Sequence, residues 1–239
     1  MSEPIRTIDG PLLGEMTRAA LKYLHSNKEE VNSLNVFPIP DGDTGINMVL
    51  TMQAACDKLN EPAANNVSEV SSQLAQGALM GGRGNSGIIL SQIWRGIANG
   101  LVGLDKFGPN QFAVAIEQAS ECAYRNVVKP VEGTILTVIR DASEAAMHAT
   151  KDDIDIVKLL QQVVIACEQS VQSTPDLLPI LKQAGKVDAG GFGLQLIFEG
   201  MLRHLCGDPV DISPDRTFQP LDTTNIENLL EAVDPGQEW

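Results

Sequence analysis

Aromatic side chains are scarce: two Trp, two Tyr and six Phe make up 4 % of the 239 residues. That composition suits closely packed helices better than a β-sandwich, and neither β alternation nor an internal repeat is visible. Basic residues are also few. Lys and Arg number 17 against 31 Asp and Glu, a net charge of −14, which argues against nucleic acid or an anionic membrane as the main partner. The four cysteines, Cys56, Cys122, Cys167 and Cys206, form no Cys-x-x-Cys pair and sit among helical, apolar neighbours. They read as buried reduced thiols rather than a disulfide or zinc framework. His25, His148 and His204 occupy helical positions away from any motif and read as surface or core residues, not bases. The N-terminus lacks a basic segment followed by an apolar run, and no stretch approaches a membrane span, so a cytoplasmic protein is expected.

Ala, Leu, Val and Ile are plentiful, and 43 % hydrophobic content over 239 residues allows a substantial core in one large domain or two small ones. Apolar spacing predicts a first helix over 10–26, with Asp9 as cap, Pro11 near its start and Leu13, Met16, Ala20, Tyr23 and Leu24 on one face. A short helix over 28–33 and a long one over 46–59 follow, the latter turning Met48, Met52 and Ala55 inward. Pro62 ends that region, and Ser68 is expected to cap a helix over 68–80. Further helices are expected over 109–128 (Phe112, Ile116, Ala119 and Ala123 on one stripe) and from Thr134 to 149. Another runs from Asp152 or Asp153 to 172, a shorter one from Thr174-Pro175 to 183, and an apolar one to Leu205. Trp94 and Phe192 read as core. After Cys206 the composition shifts to Asp, Pro and Thr, so 1–206 reads as the domain and 207–239 as a tail or linker with a weak helix over 225–232.

Four polar segments recur at helix starts. The first, Asn35-Val36-Phe37-Pro38-Ile39-Pro40-Asp41-Gly42-Asp43-Thr44-Gly45-Ile46-Asn47, places two carboxylates one small residue apart, beside a helix that Asp43 or Thr44 can cap. Hard oxygen ligands next to a helix N-terminus favour a divalent cation with a phosphate beside it. The same residues also suit a plain turn and cap. The second, Gly81-Gly82-Arg83-Gly84-Asn85-Ser86-Gly87, opens a helix with free backbone N–H groups. It lacks the Gly-Lys-Ser/Thr of a Walker A loop, and its composition also fits a flexible interhelical loop. Gly133-Thr134 marks a third helix start, and Gly185-Lys186-Val187-Asp188-Ala189-Gly190-Gly191-Phe192-Gly193 a fourth. In an up-and-down bundle of about eight helices, starts two crossings apart share one end, so these segments are expected to converge on one polar mouth. An acidic protein can hold ATP there if bound Mg²⁺ supplies the missing positive charge.

The four segments, with Glu132-Gly133-Thr134-Ile135-Leu136-Thr137-Val138 as the third, resemble the nucleotide-binding domain of the dihydroxyacetone kinase family, L-subunit (DhaL) type. The Asn-Val-Phe-Pro form is most similar to the branch at the N-terminus of bacterial fatty acid kinases. The resemblance runs from about residue 5 to 205 with the motifs in order. It implies an all-α, eight-helix up-and-down barrel that binds ATP or ADP through two Mg²⁺ ions at one end. Asp41 and Asp43 match family metal ligands and are the expected catalytic pair. Asn35 falls where a third ligand, an aspartate in dihydroxyacetone kinases, is expected, with the loop one residue longer. Thr44, Gly45, Ile46 and Asn47 match the phosphate-contacting stretch, Gly82, Asn85 and Ser86 the glycine-rich segment, and Gly133, Thr134, Asp188, Ala189 and Gly190 positions around the nucleotide. Arg83 is a candidate extra cation at the phosphates or an ordinary exposed arginine.

By the same resemblance the expected activity is phosphorylation of a fatty acid, presented by a DegV-type fatty-acid-binding protein, to an acyl phosphate. The alternatives are a dihydroxyacetone kinase nucleotide subunit and a regulatory module that holds Mg–nucleotide without transferring phosphate. Full members of the family continue well beyond residue 239. The resemblance therefore implies an N-terminal domain, with partner docking and a homodimer contact expected in the missing part.

Overall fold

Helix starts are set by side chains that accept the orphaned first-turn N–H groups. Asp9 accepts from the Leu12 N–H, Asn66 from Glu69, Thr134 from Leu136, Asp155 from Lys158 and Asp188 from Gly191. The computed structural model describes residues 5–59 and 65–208. Within them lie α1 (Gly10–Ser26), α2 (Lys28–Leu34), α3 (Thr44–Lys58), α4 (Val67–Gly81), α5 (Gly84–Gly100), α6 (Pro109–Arg125), α7 (Ile135–Ala149), α8 (Ile156–Leu177), α9 (Pro179–Ala184) and α10 (Ala189–Leu205). Eight are long and two, α2 and α9, are short. Among the described residues there is no strand, only an isolated antiparallel bridge between Ile8 and Phe107.

The long helices close a ring. Each of α3 to α8 packs on the next, α8 packs on α10, α10 on α1, and α1 on both α3 and α4. The fold is therefore the expected all-α bundle. The most deeply buried member is α10, whose residues from Ala189 to Leu202 are all buried. A helix buried on every side packs against many neighbours, and this one, whose buried Glu199 accepts from Tyr23 and Arg203, touches α1, α2, α3, α7 and α8. Met48, Met52, Ala55, Phe112, Ile116, Ala119, Ala123, Trp94 and Phe192 are buried as their spacing predicts, with the Trp94 indole N–H directed at Met52 Sδ, 3.1 Å away.

Several boundaries differ from expectation for identifiable reasons. Asn66, not Ser68, caps α4, and the Ser68 hydroxyl accepts from the Gly103 N–H instead. α8 starts at Ile156 behind Asp155, while Asp153 pairs with Arg6 at 2.7 Å. The same helix runs through Thr174-Pro175 to Leu177. Pro175 cannot donate to the Val171 carbonyl four residues back, but the Thr174 hydroxyl donates to that oxygen at 2.6 Å and keeps it satisfied. The glycine-rich stretches are shorter loops than their composition suggests. Only Gly82 and Arg83 separate α4 from α5, so Asn85 and Ser86 sit in the first turn of α5, and Ala189 and Gly190 in that of α10. Cys56, Cys122 and Cys167 are buried free thiols, but Cys206 is exposed just beyond α10. His25 and His148 are exposed, and His204 is half-buried near Glu15. The expected break at Pro62 and the tail and weak helix after residue 208 lie outside the described residues. Among the described residues no helix is long and apolar enough to cross a membrane.

Candidate nucleotide and cation site

The N-termini of α3, α5, α7 and α10 meet at one end of the bundle, around a cleft of about 610 Å³. Of the residues singled out in the sequence, Asn35, Asp41, Asp43, Thr44 and Asn47 line it from the first segment. Asn85 and Ser86 line it from α5, Thr134 from α7, and Asp188 and Gly190 from α10. Two other concavities, about 490 Å³ between α7 and α8 and about 300 Å³ between α1 and α3, receive none of these segments.

Local folding explains why the first segment faces inward. Asn35 ends α2, and the Asp41 N–H bonds back to the Ile39 carbonyl at 3.0 Å, a tight turn that carries the chain from the prolines to Asp43. Asp43 occupies the N-cap position of α3, but its side chain makes no capping bond. Instead Asn32 of α2 reaches across, its Oδ1 accepting from the Gly45 N–H at 2.8 Å and the Ile46 N–H at 3.2 Å. A side chain at Gly45 would start 2.3 Å from the Lys28 carbonyl oxygen, so the glycine lets α2 lie directly on the start of α3. Asn32 thus fills a capping role that the sequence reading gave to Asp43 or Thr44, leaving the Asp43 carboxylate to the cleft. Gly45 and Ile46 line no part of the cleft, and both of their amides are already bonded to Asn32.

Gly82, Gly133 and Ala189 also lie off the cleft lining. Gly133 adopts φ +78 and donates its N–H to Thr137 Oγ1 at 2.8 Å, which shapes the entry to α7. Arg83 is exposed outside the lining as well. The cation that does line the cleft is Lys129, in the link between α6 and α7. Val127, Val128 and Val131 of that link give the cleft an apolar wall, and Phe37, Pro38, Ile88 and Ile89 add further apolar lining. Sequence reasoning passed over this link. The signal was its position just before Gly133-Thr134, which commits it to the same end of the bundle. Its base is pinned by Glu132, which accepts from Tyr124 at 2.9 Å, Thr137 at 2.8 Å and Arg140 at 2.7 Å.

The electrostatics are lopsided: the charged lining groups are Asp41, Asp43 and Asp188 against Lys129. Burial pushes the Asp188 carboxyl up to about 6, partly opposed by the backbone N–H groups of Gly191, Ile135 and Gly190. Those amides are the first-turn donors of α7 and α10, so one carboxylate joins two helix starts. The Asp188 backbone N–H donates to Thr174 Oγ1 at 3.0 Å. Asn35 is 7 % exposed, and its Nδ2 donates to Asp41 Oδ1 at 2.6 Å. Its Oδ1 is the one buried side-chain polar atom among the described residues with no hydrogen-bond partner. Among those residues no three His, Cys, Asp or Glu side chains converge as a ligand set. A cation here would rest on two carboxylates and an amide oxygen, a hard-oxygen donor set that suits Mg²⁺.

A DAK2 domain model matches residues 38–203, which covers all four segments from Pro38 onward. The chain belongs to the DAK2-domain family. Such a domain is kinase-related and nucleotide-binding, and this one carries the all-helical fold expected of it. Similar chains include Protein YloV of Bacillus subtilis, 44 % identical over 228 residues, and an uncharacterized protein of Staphylococcus epidermidis, 41 % identical over 224. These alignments take in 95 % and 94 % of this DAK2-domain chain but only 40 % of either relative.

Proposed function

We propose that this DAK2 domain binds Mg–ATP in the cleft and transfers the terminal phosphoryl group to a fatty-acid carboxylate, giving an acyl phosphate. The acyl chain is carried by a separate fatty-acid-binding protein of the DegV type. The observation that carries the phosphoryl-transfer half is the convergence of Asp41, Asp43 and the unpartnered Asn35 oxygen with the starts of α5, α7 and α10. Phosphoryl transfer needs charge neutralisation and in-line placement more than a protein nucleophile, and this cleft offers oxygen ligands and helix starts. The acceptor half rests on the resemblance of the first segment to fatty acid kinases.

Asp41, Asp43 and Asn35 are the residues that would hold Mg²⁺, two ions by the family resemblance, and the metal would supply positive charge at the phosphate oxygens. Thr44, Asn47, Asn85 and Ser86 orient the phosphate chain through hydroxyl and amide groups. The Val127–Val131 wall and Phe37-Pro38 offer an apolar slot for the base. Lys129 adds a cation on the open side of the cleft.

Calorimetry of ATP binding, with Mg²⁺ and with EDTA, tests the site on the wild type and on Asp41→Ala/Asp43→Ala. Mg²⁺-dependent binding that disappears in the double variant is expected, and unchanged binding refutes the site. Transfer of label from ATP to a fatty acid on a DegV-type protein tests the acceptor. Turnover on dihydroxyacetone with a ketose-binding subunit would instead point to the dihydroxyacetone kinase reading, and nucleotide binding with no transfer to either to a regulatory module.

A further inference from the structure

Asn35 is held in an arrangement that a purely structural amide would not keep. Its side chain is buried, and the Asp41 carboxylate, an acceptor only, fixes the amide nitrogen toward itself at 2.6 Å. The amide oxygen is thereby turned away from Asp41 and left without a donor. A buried acceptor without a partner forfeits the hydrogen bonds it would make to water. The same cleft holds Asp43 and Thr44, and no protein N–H or O–H meets the orphaned oxygen.

We propose that Asn35 makes cation and nucleotide loading interdependent: its amide N–H holds Asp41, and only a cation arriving with nucleotide phosphates displaces it. The inference rests on the cleft being a metal–nucleotide site. Two carboxylates and a neutral amide carry two negative charges, and one carboxylate is already engaged by an N–H. Mg²⁺ sheds its water reluctantly and usually relies on substrate phosphates to complete its shell. A cation alone therefore competes poorly with the Asn35 N–H for Asp41. Together with phosphate oxygens it satisfies Asp41, and rotation of the amide gives the orphaned Oδ1 a partner. An aspartate in place of Asn35 removes the N–H, adds a charge and uncouples the two events.

The test is titration of the full chain with Mn²⁺, a similar hard-ligand probe, followed by electron paramagnetic resonance, with and without a non-hydrolysable ATP analogue. Wild type is expected to bind Mn²⁺ saturably only with the analogue present. Asn35→Asp is expected to bind Mn²⁺ without nucleotide, about tenfold tighter than wild type or more, a factor equivalent to ~1.4 kcal/mol. Mn²⁺ binding to wild type that is as tight without the analogue as with it overturns the proposal. So does an Asn35→Asp variant that is folded and no tighter than wild type. If that variant does not fold, the two wild-type titrations decide alone. Failure of the analogue to bind folded wild type at saturating Mn²⁺ is read separately, and it refutes the metal–nucleotide site itself.

Discussion

Replacing Asn32 with alanine should loosen the cleft from a position outside its lining. The Asn32 side chain accepts from Gly45 and Ile46, the first amides of α3. Loss of a side-chain cap costs about 1–2 kcal/mol. Gly45 is buried, so its N–H is the harder of the two to solvate once the cap is gone, whereas that of the exposed Ile46 can meet water. A net loss of ~2 kcal/mol follows, the desolvated amide placing it at the upper end of the capping range. For a domain of this size that lowers Tm by about 4–8 °C. Thermal and urea unfolding measure it, and calorimetric titration with Mg–ATP should show weakened affinity as well, because Asp43, Thr44 and Asn47 ride on the turn that Asn32 holds. Asn32→Asp keeps the acceptor and should recover most of the stability. If Asn32→Ala melts within about 1 °C of wild type, α3 draws its start from another source and the reasoning fails.

Asp188 and Thr174 give two further expectations. Burial raises the Asp188 carboxyl from 3.8 to about 6. A carboxyl whose pKa is higher folded than unfolded costs stability while ionised, fully above the folded value, and the cost is relieved as pH falls through that window. Wild type should therefore gain stability relative to Asp188→Asn by up to ~3 kcal/mol between pH 7 and pH 4, read from urea unfolding at several pH values. A difference that is flat with pH refutes it. Thr174→Val removes both the hydroxyl that satisfies Val171 and the acceptor of the buried Asp188 N–H, so unfolding should show a loss of about 1–3 kcal/mol. A neutral result would mean that α8 bends at Pro175 without the threonine.

What could be read from the sequence was what depends on neighbours in the chain. Asp9 and Thr134 cap the helices that follow them, and Met48, Met52 and Ala55 face inward because their spacing leaves one stripe. Convergence of the four segments followed from counting crossings. What escaped depends on partners distant in sequence. Asn32 caps a helix twelve residues further on only because Gly45 admits α2 beside it. The 126–131 wall carries no motif of its own and acquires meaning only from where α7 begins. Glycine content was misleading at 84–87 and 189–191. There it reflects tight packing of first helical turns: a side chain at Gly84, with φ +58, would start 2.5 Å from Asn47 Nδ2.

The buried course of α10 has a consequence for how the site can respond to a ligand. Its first turn is the floor of the cleft, and its remaining turns are in contact with five other helices. The floor cannot tilt without repacking the interior, which close-packed cores resist. The two sides are built differently: Val36 to Asp43 and Asn126 to Val131 are short links between helices, half-buried or exposed along their length. The site is thus an anvil with two adjustable jaws. Hydrogen exchange should slow on nucleotide binding in those links while the amides of α10, protected from the outset, report no change.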